Sequence, residues 1–345
     1  MDEKLTYEKY TGEYSAEYKK ECRNEAIGLR KVDDIIDFTD AEPGYRDYGG
    51  SDSKLSLKKN GIHYMVKFAE KEIQISEIAM SESNSIFSEY IGSHIAKTMG
   101  LEVHNTKLGL YKGEPVVACE DFVQNGWKLQ EFEWFMRTVF RKGQIGRTPT
   151  YEQIYMTINE SMLSVIKEEA VSRYWDTFIL DAFIGNFDRH KGNWGYLVNE
   201  KEKTIKLAPI YDCGSSIYPA LSEREFDQIL TSDTEIDLRI FGFPKPALNR
   251  NSDPFKIDKF SYQELLLENR DVNCSKALMR VYPHIDMEKV YRVIDETPII
   301  SVRRKNFYKE MLTHRKERLL HKAYEIVQQM DLSEKKIVHE NVKRK

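Results

Sequence analysis

The sequence predicts an α+β protein of two lobes, a small antiparallel sheet with one helix followed by a larger, mostly helical lobe. Three observations predict it. Residues 54 to 68 alternate about an Asn60-Gly61 pair, the mark of a hairpin. Ile86, Tyr90, Ile91, Ile95 and Met99 then recur at helical spacing until Gly100 stops them. Beyond Phe122 the pattern becomes mostly helical, and 345 residues with 41% hydrophobic content suffice for two lobes sharing a cleft.

Residues 1–31 read as a leader. Tyr7, Tyr10, Tyr14, Tyr18 and Cys22 sit at helical spacing, although Gly12 weakens such a helix by about 1 kcal/mol relative to Ala. A helix packed on the domain, or a frayed leader, fits better than a partner-docking helix. The small lobe spans 32–122, with strands at Lys54–Lys58 and His63–Phe68 and a helix from Ser85 to Met99. Strands Thr106–Tyr111 and Pro115–Phe122 follow, joined by the tight Lys112-Gly113-Glu114 turn.

The large lobe spans 123–330. Glu168 to Ile184 is a helix with Val171, Trp175, Phe178 and Ile179 on one stripe, and it runs into Gly185. Strands Trp194–Asn199 and Thr204–Pro209 flank the next loop. Leu221 to Tyr262 reads as irregular, broken by Phe243-Pro244-Lys245-Pro246 and by Asn251–Pro254. Helices resume at Tyr262, and a long one covers Val302 to Met330. The polar tail 331–345 ends Lys343-Arg344-Lys345 and is expected to be disordered.

Composition narrows the function. A net charge of −4 creates no global basic field to draw the chain onto nucleic acid. No apolar run approaches the roughly 20 residues that span a bilayer. Met1 to Tyr10 is acidic and polar, without the apolar core of a signal peptide. The 4 cysteines are far apart in sequence and read as free thiols of a reducing compartment. A cytoplasmic location is expected, with export lacking a cleaved signal left open. Arg303, Arg304, Lys305, Lys309, Arg315, Lys316 and Arg318 are interleaved with Glu310 and Glu317, the pattern of a solvated helix face.

The sharpest local signal is Gly185-Asn186-Phe187-Asp188-Arg189-His190-Lys191-Gly192-Asn193, closely followed by Pro209-Ile210-Tyr211-Asp212-Cys213-Gly214. Phosphoryl transfer needs a carboxylate near the acceptor hydroxyl and oxygen ligands for Mg²⁺ on the phosphates. Asp188, with Asn193 five residues on, supplies that carboxylate and one ligand; Asp212 supplies the second. Protein kinases use this Asp-to-Asn spacing and a later Asp-x-Gly. Upstream, Gly49-Gly50-Ser51-Asp52-Ser53 sits where backbone N–H groups and hydroxyls, those of Ser51 and Ser53 included, could close over phosphates. Lys67 interrupts an otherwise apolar strand, Glu89 on the next helix is its candidate ion-pair partner, and Cys119-Glu120-Asp121-Phe122 would act as the hinge whose backbone reads the adenine.

The string Gly-Asn-x-Asp-Arg-His-x-x-Asn followed by Ala-Pro-x-Tyr-Asp resembles that of the HipA-like kinases. Further matching stretches are Ile36–Thr39, Tyr64–Phe68, Val116–Cys119 and Tyr282–Met287, so the resemblance covers roughly residues 33 to 330. It is nearest to the short form that lacks the extra N-terminal domain. It implies a two-lobed protein-kinase-like fold and an autophosphorylating serine/threonine protein kinase that uses ATP and Mg²⁺. Asp188 is then the catalytic base, Asn193 and Asp212 hold the metal, Lys67 grips the phosphates and His190 lies beside them. In relatives a serine of the phosphate loop can be phosphorylated, which expels the loop; Ser51 and Ser53 are the positions for this here. The implied partners are a protein substrate and an antitoxin-like regulator.

Ordinary structural roles compete at each position. Asp188 and Asp212 could be turn carboxylates, Lys67 an edge-strand charge, Glu89 a surface glutamate, and Gly49-Gly50 a plain turn. His190 has no second His or Cys at zinc-ligand spacing. Asp-Arg-His-x-x-Asn also resembles the catalytic loop of phosphoinositide-type lipid kinases, and small-molecule kinases share the general layout. A pseudokinase acting as a scaffold or toxin module requires a broken base or metal position, and none is broken.

Overall fold

Six strands form the small lobe's sheet among the described residues. In chain order they are β1 (Ile36–Asp37), β2 (Glu42–Pro43), β3 (Lys54–Lys59), β4 (Ile62–Phe68), β5 (Thr106–Tyr111) and β6 (Glu114–Glu120), arranged β1-β5-β6-β4-β3-β2. Every pairing is antiparallel except the short β1, which runs parallel to β5. The structure, a computed structural model, describes residues 35–45, 54–69, 84–123, 126–146, 148–253, 255–268 and 271–330. The leader, the Gly49–Ser53 loop and the tail lie outside the described residues.

Two left-handed turns set the register of the sheet. Asn60 and Gly61, at φ 51° and 80°, join β3 to β4; Lys112 and Gly113, at 52° and 81°, join β5 to β6. Both pairs have the positive φ that two-residue hairpins favour. Alternation then sorts the faces. Leu57, Tyr64, Val66, Val116 and Ala118 close over Phe38 on one side. Leu108, Val117 and Cys119 face the other side, against Ile86, Ile91 and Ile95 of helix α1 (Ser85–Thr98).

The large lobe opens with a strand that the sequence reading did not separate from its helical surroundings. β7 (Lys128–Glu131) pairs with β8 (Gly195–Asn199), which pairs with β9 (Thr204–Leu207). Helices α2 (Phe132–Val139), α3 (Tyr151–Glu160) and α4 (Lys167–Ile184) follow β7. Every residue of α4 from Phe178 to Ile184 is buried, Asp181 included, so its last two turns form the centre of the lobe.

After β9, the stretch expected to be irregular contains helical turns at Phe226–Leu230 and Asp233–Asp237 and a π-helical turn at Leu238–Gly242. The correction has a local cause. Ser222 and Glu225 form a capping box, and Ser232 accepts from the N–H of Glu235, both upstream of the prolines. Then come α5 (Tyr262–Leu267), α6 (Val272–Val281), α7 (Met287–Glu296) and α8 (Val302–His314), each begun by a Ser or Asp cap. α8 continues through a π-helical stretch, Arg315–His321, and helix to 330. Among the described residues, no helix is long and apolar enough to cross a membrane.

Candidate active site

The pleat of β4 aims Lys67 inward. Tyr64 and Val66 join the outer cluster, so Met65 and Lys67 point to the α1 side, with Val117 and Cys119 as cross-strand neighbours. Lys67 Nζ donates to Glu89 Oε2 and to Asp212 Oδ1, each at 2.9 Å. Glu89 has no exposed surface. Its Oε1 accepts from His104 Nε2 at 2.9 Å and from the N–H of Cys213 at 3.1 Å. A carboxylate oxygen only accepts, so His104 carries its proton on Nε2; Ser93 Oγ lies 3.1 Å from the same nitrogen.

Burial would discharge both partners, and the pairing prevents it. Burial lowers the pKa of Lys67, but Asp212 and Glu89 outweigh it and hold the ammonium well above its usual range. Burial raises that of Glu89, but Lys67 and His104 outweigh it and hold the carboxyl well below 4.5. Gly92 lets α1 lie this close, because a Cβ there would stand 2.8 Å from the Cys213 Cβ. The chain turns at Asp212 with φ 61°.

The other half of the cleft hangs from α4. Gly185 ends the helix at φ 69°, and its N–H returns to Asp181 O. The Asp188 N–H donates to Asn186 Oδ1 at 3.1 Å, and the Asp188 carbonyl accepts from Asn193 Nδ2 at 2.9 Å. That bond orients the Asn193 amide and leaves its Oδ1 as an acceptor. His190 Nδ1 accepts from the Gly192 N–H at 3.0 Å, which places the proton of the neutral ring on Nε2, 3.9 Å from Asp188 Oδ2. Glu131, at the end of β7, also faces His190; burial and Glu133 raise its pKa.

Arg189 points away from the cleft. Nε and Nη2 reach the two Asp181 oxygens at 2.9 and 3.1 Å, while Nη1 donates to the carbonyls of Asn193 and Tyr211. Burial lowers the pKa of this guanidinium, and Asp181 more than offsets it. Asn186 Nδ2 donates to Asp181 at 3.0 Å, and the Tyr262 hydroxyl to the Asn186 carbonyl at 2.5 Å. One carboxylate inside α4 thus fixes the residues on both sides of Asp188.

Of the residues singled out from sequence, the structure brings Lys67, Glu89 and Asp212 together and groups Asp188, His190 and Asn193 on one adjoining loop. Gly49, Gly50, Ser51 and Ser53 lie outside the described residues. At the hinge, Glu120 N–H donates to Asn105 O, Asp121 N–H to His63 O and Val123 N–H to Asp121 Oδ1. The Phe122 N–H has no such partner among the described residues, and the Phe122 ring lies 5.9 Å from that of Tyr211. Sequence reasoning missed His104, Asp181 and Arg189. The available signal was Asp181 itself, a charge in the apolar run Phe178–Ile184.

Glu89, His104 and Cys119 also place possible metal-ligand atoms within 4.8 Å of one another. The donor set does not suit a metal. Glu89 is already occupied by Lys67, His104 and Cys213, and burial holds the Cys119 thiol in its protonated form.

Lobes and cleft together define a protein of the two-lobed kinase-like class. Residues 47–244 match the HipA-like C-terminal domain. The serine/threonine-protein kinase CtkA of Helicobacter pylori is 36% identical over 311 residues, covering 89% of this chain and 92% of that protein. The crystal structure of the Helicobacter pylori proinflammatory kinase CtkA superposes with a TM-score of 0.79 at 35% identity, over 86% of this chain and 98% of the other. A chain of the Shewanella oneidensis HipA, HipB and operator DNA complex matches with a TM-score of 0.52 at 15% identity, over 84% and 68%, a likeness of fold. The chain belongs to the HipA-like family, close to CtkA, and is a phosphotransferase.

Proposed function

We propose that the protein is an ATP- and Mg²⁺-dependent kinase that phosphorylates serine or threonine hydroxyls of proteins, its own chain included. The observation that carries this reading is Lys67, held at 2.9 Å from both Glu89 and Asp212. It stands beside a loop whose Asp188 carboxylate is partly open to solvent, in a chain 36% identical to a serine/threonine kinase.

The donor chemistry fits the cofactor. Asn193 Oδ1 and the Asp212 carboxylate are hard oxygen ligands suited to Mg²⁺, and Lys67 with His190 Nε2–H would meet phosphate oxygens. Bound there, Mg·ATP supplies the phosphoryl group and the cation that offsets its charge. Glu89 keeps Lys67 charged and aimed. Asp188 would orient the acceptor hydroxyl and take its proton. The Phe122 N–H and the backbone at Glu120 would read the adenine, and Gly49, Gly50, Ser51 and Ser53 would cover the phosphates. The HipB of the Shewanella toxin–antitoxin complex makes an antitoxin-like protein the class of partner to seek by co-purification.

The test is incubation with γ-labelled ATP and Mg²⁺, wild type beside Asp188→Ala, followed by phosphosite mass spectrometry. Label on serine or threonine in the wild type alone is the expected result. Label that appears only in added lipid or small-molecule acceptors would overturn the protein-kinase assignment.

A further inference from the structure

Arg315 opens the π-helical stretch after α8 and enters the core of the large lobe with no exposed surface. Among the described residues its guanidinium makes no ion pair. Nε donates to the carbonyls of Ala182 and Phe183 at 2.8 and 3.1 Å, and Nη1 to that of Arg239 at 3.1 Å. Its Cζ lies over the Tyr262 ring, 5.7 Å from the centroid, and among the described residues Nη2 makes no hydrogen bond. An arginine stays protonated in a protein core, so this charge must be offset by other means.

The end of α4 offsets it. The last carbonyls of a helix lack intrahelical partners and carry the negative end of its dipole. Here all four are used. Asp181 O accepts from the N–H groups of Gly185 and Asn186, Ala182 O and Phe183 O from Arg315, and Ile184 O from the Ile217 N–H at 2.9 Å. Ile217 and Tyr218 both sit at φ 55°, a left-handed conformation such side chains hold only under constraint. The Tyr218 hydroxyl donates to Arg239 O, the carbonyl that Arg315 also grips. One side chain thereby joins the turn that delivers Asp188 to the strained segment that follows Asp212.

We propose that Arg315 is a positioning residue for phosphoryl transfer: it clamps the last turn of α4 and so sets how the Gly185–Asp188 segment and the chain beyond Asp212 enter the cleft. The proposal rests on the kinase reading for its kinetic consequence and on the structure alone for its mechanical one. Arg315 also lies beyond the 47–244 stretch that matches the family domain.

The full-length Arg315→Met and Arg315→Lys variants test it by hydrogen exchange and by transfer kinetics. In Arg315→Met, amides of 182–193 and 212–218 should exchange about tenfold faster while those of β4 and β6 do not change. Its kcat should fall by about tenfold or more, with KM for Mg·ATP within about twofold of wild type, since small misplacements at a reacting centre cost that much. Arg315→Lys, which keeps the cation, should recover part of kcat; should the Met variant fail to fold, the Lys variant carries both readouts. Faster exchange spread evenly over the molecule, or a kcat loss matched by the loss of ATP-binding sites, would reduce Arg315 to a stability residue and overturn the proposal. A wild type that transfers no phosphate would refute the kinase reading, while the exchange pattern would still decide the clamp.

Discussion

The two sides of the cleft hold their charges by opposite means. On the small-lobe side the charges themselves are buried: Lys67 is 9% exposed and Glu89 not at all, each neutralised by the other and by fixed neighbours. On the large-lobe side the Asp188 side chain is 34% exposed, and the buried part is the frame behind it, Asp181 with Arg189 and the end of α4 with Arg315. The difference teaches a division of labour. A group that must stay charged and fixed is best enclosed with its counter-charge; a group proposed to take a proton from an acceptor stays at the surface and takes its precision from support.

The contrast is sharpest in what each side loses on mutation. Lys67→Met should lower kcat by about 10²-fold and also cost about 3 kcal/mol of stability, because Glu89 is left as a buried charge short of its counter-ion. Denaturant unfolding and steady-state kinetics on one preparation check both; an unchanged midpoint would break the account of the small-lobe side. Asp181→Asn acts on the frame. It should cost about 3 kcal/mol by unpairing Arg189 and lower kcat by about tenfold, without weakening Mg·ATP binding.

Acid provides a third comparison. Glu89 is held well below 4.5, so its contribution to stability is complete above that ordinary value and is lost as pH falls through the lower folded value. Lys67, held above its usual range, contributes below 10.5 and loses the contribution only in strong alkali. The pair therefore steadies the fold across neutral pH. Glu89→Gln should flatten the acid limb of a stability–pH profile measured by urea titration; an equally steep limb would assign acid lability elsewhere. The smallest effect is expected from Gly92→Ala, whose Cβ would meet that of Cys213 at 2.8 Å. Parting α1 from the Asp212 turn should cost about 1 kcal/mol and a few-fold in kcat.

The parts legible in the sequence were those written locally. The β3–β4 and β5–β6 hairpins show in alternation and turn residues, α1 in its stripe and stop, and Asp188, His190 and Asn193 in one nine-residue string. Glu89 could be placed on the helix after Lys67, but 22 residues separate them, and only the packed sheet brings the pair together. His104 and Arg315 were not legible as site residues. Their partners are backbone carbonyls, other buried side chains or residues far along the chain, and no spacing rule encodes such contacts. Arg315 in particular lies 133 residues from Ala182 and was read as one more cation on a solvated face. β7 was hidden for another reason: Lys-Leu-Gln-Glu is short and lacks a clear alternation, and its register comes from β8.

The most direct test of the central claim, that Asp188 handles the proton while Asp212 holds the metal, is a pair of binding isotherms for Mg·ATP. Asp188→Ala should bind close to wild-type affinity while transferring no phosphate; Asp212→Ala should lose both transfer and Mg²⁺-dependent binding. Equal, wild-type-like binding by both variants, or undiminished transfer by Asp212→Ala, would contradict the assignment.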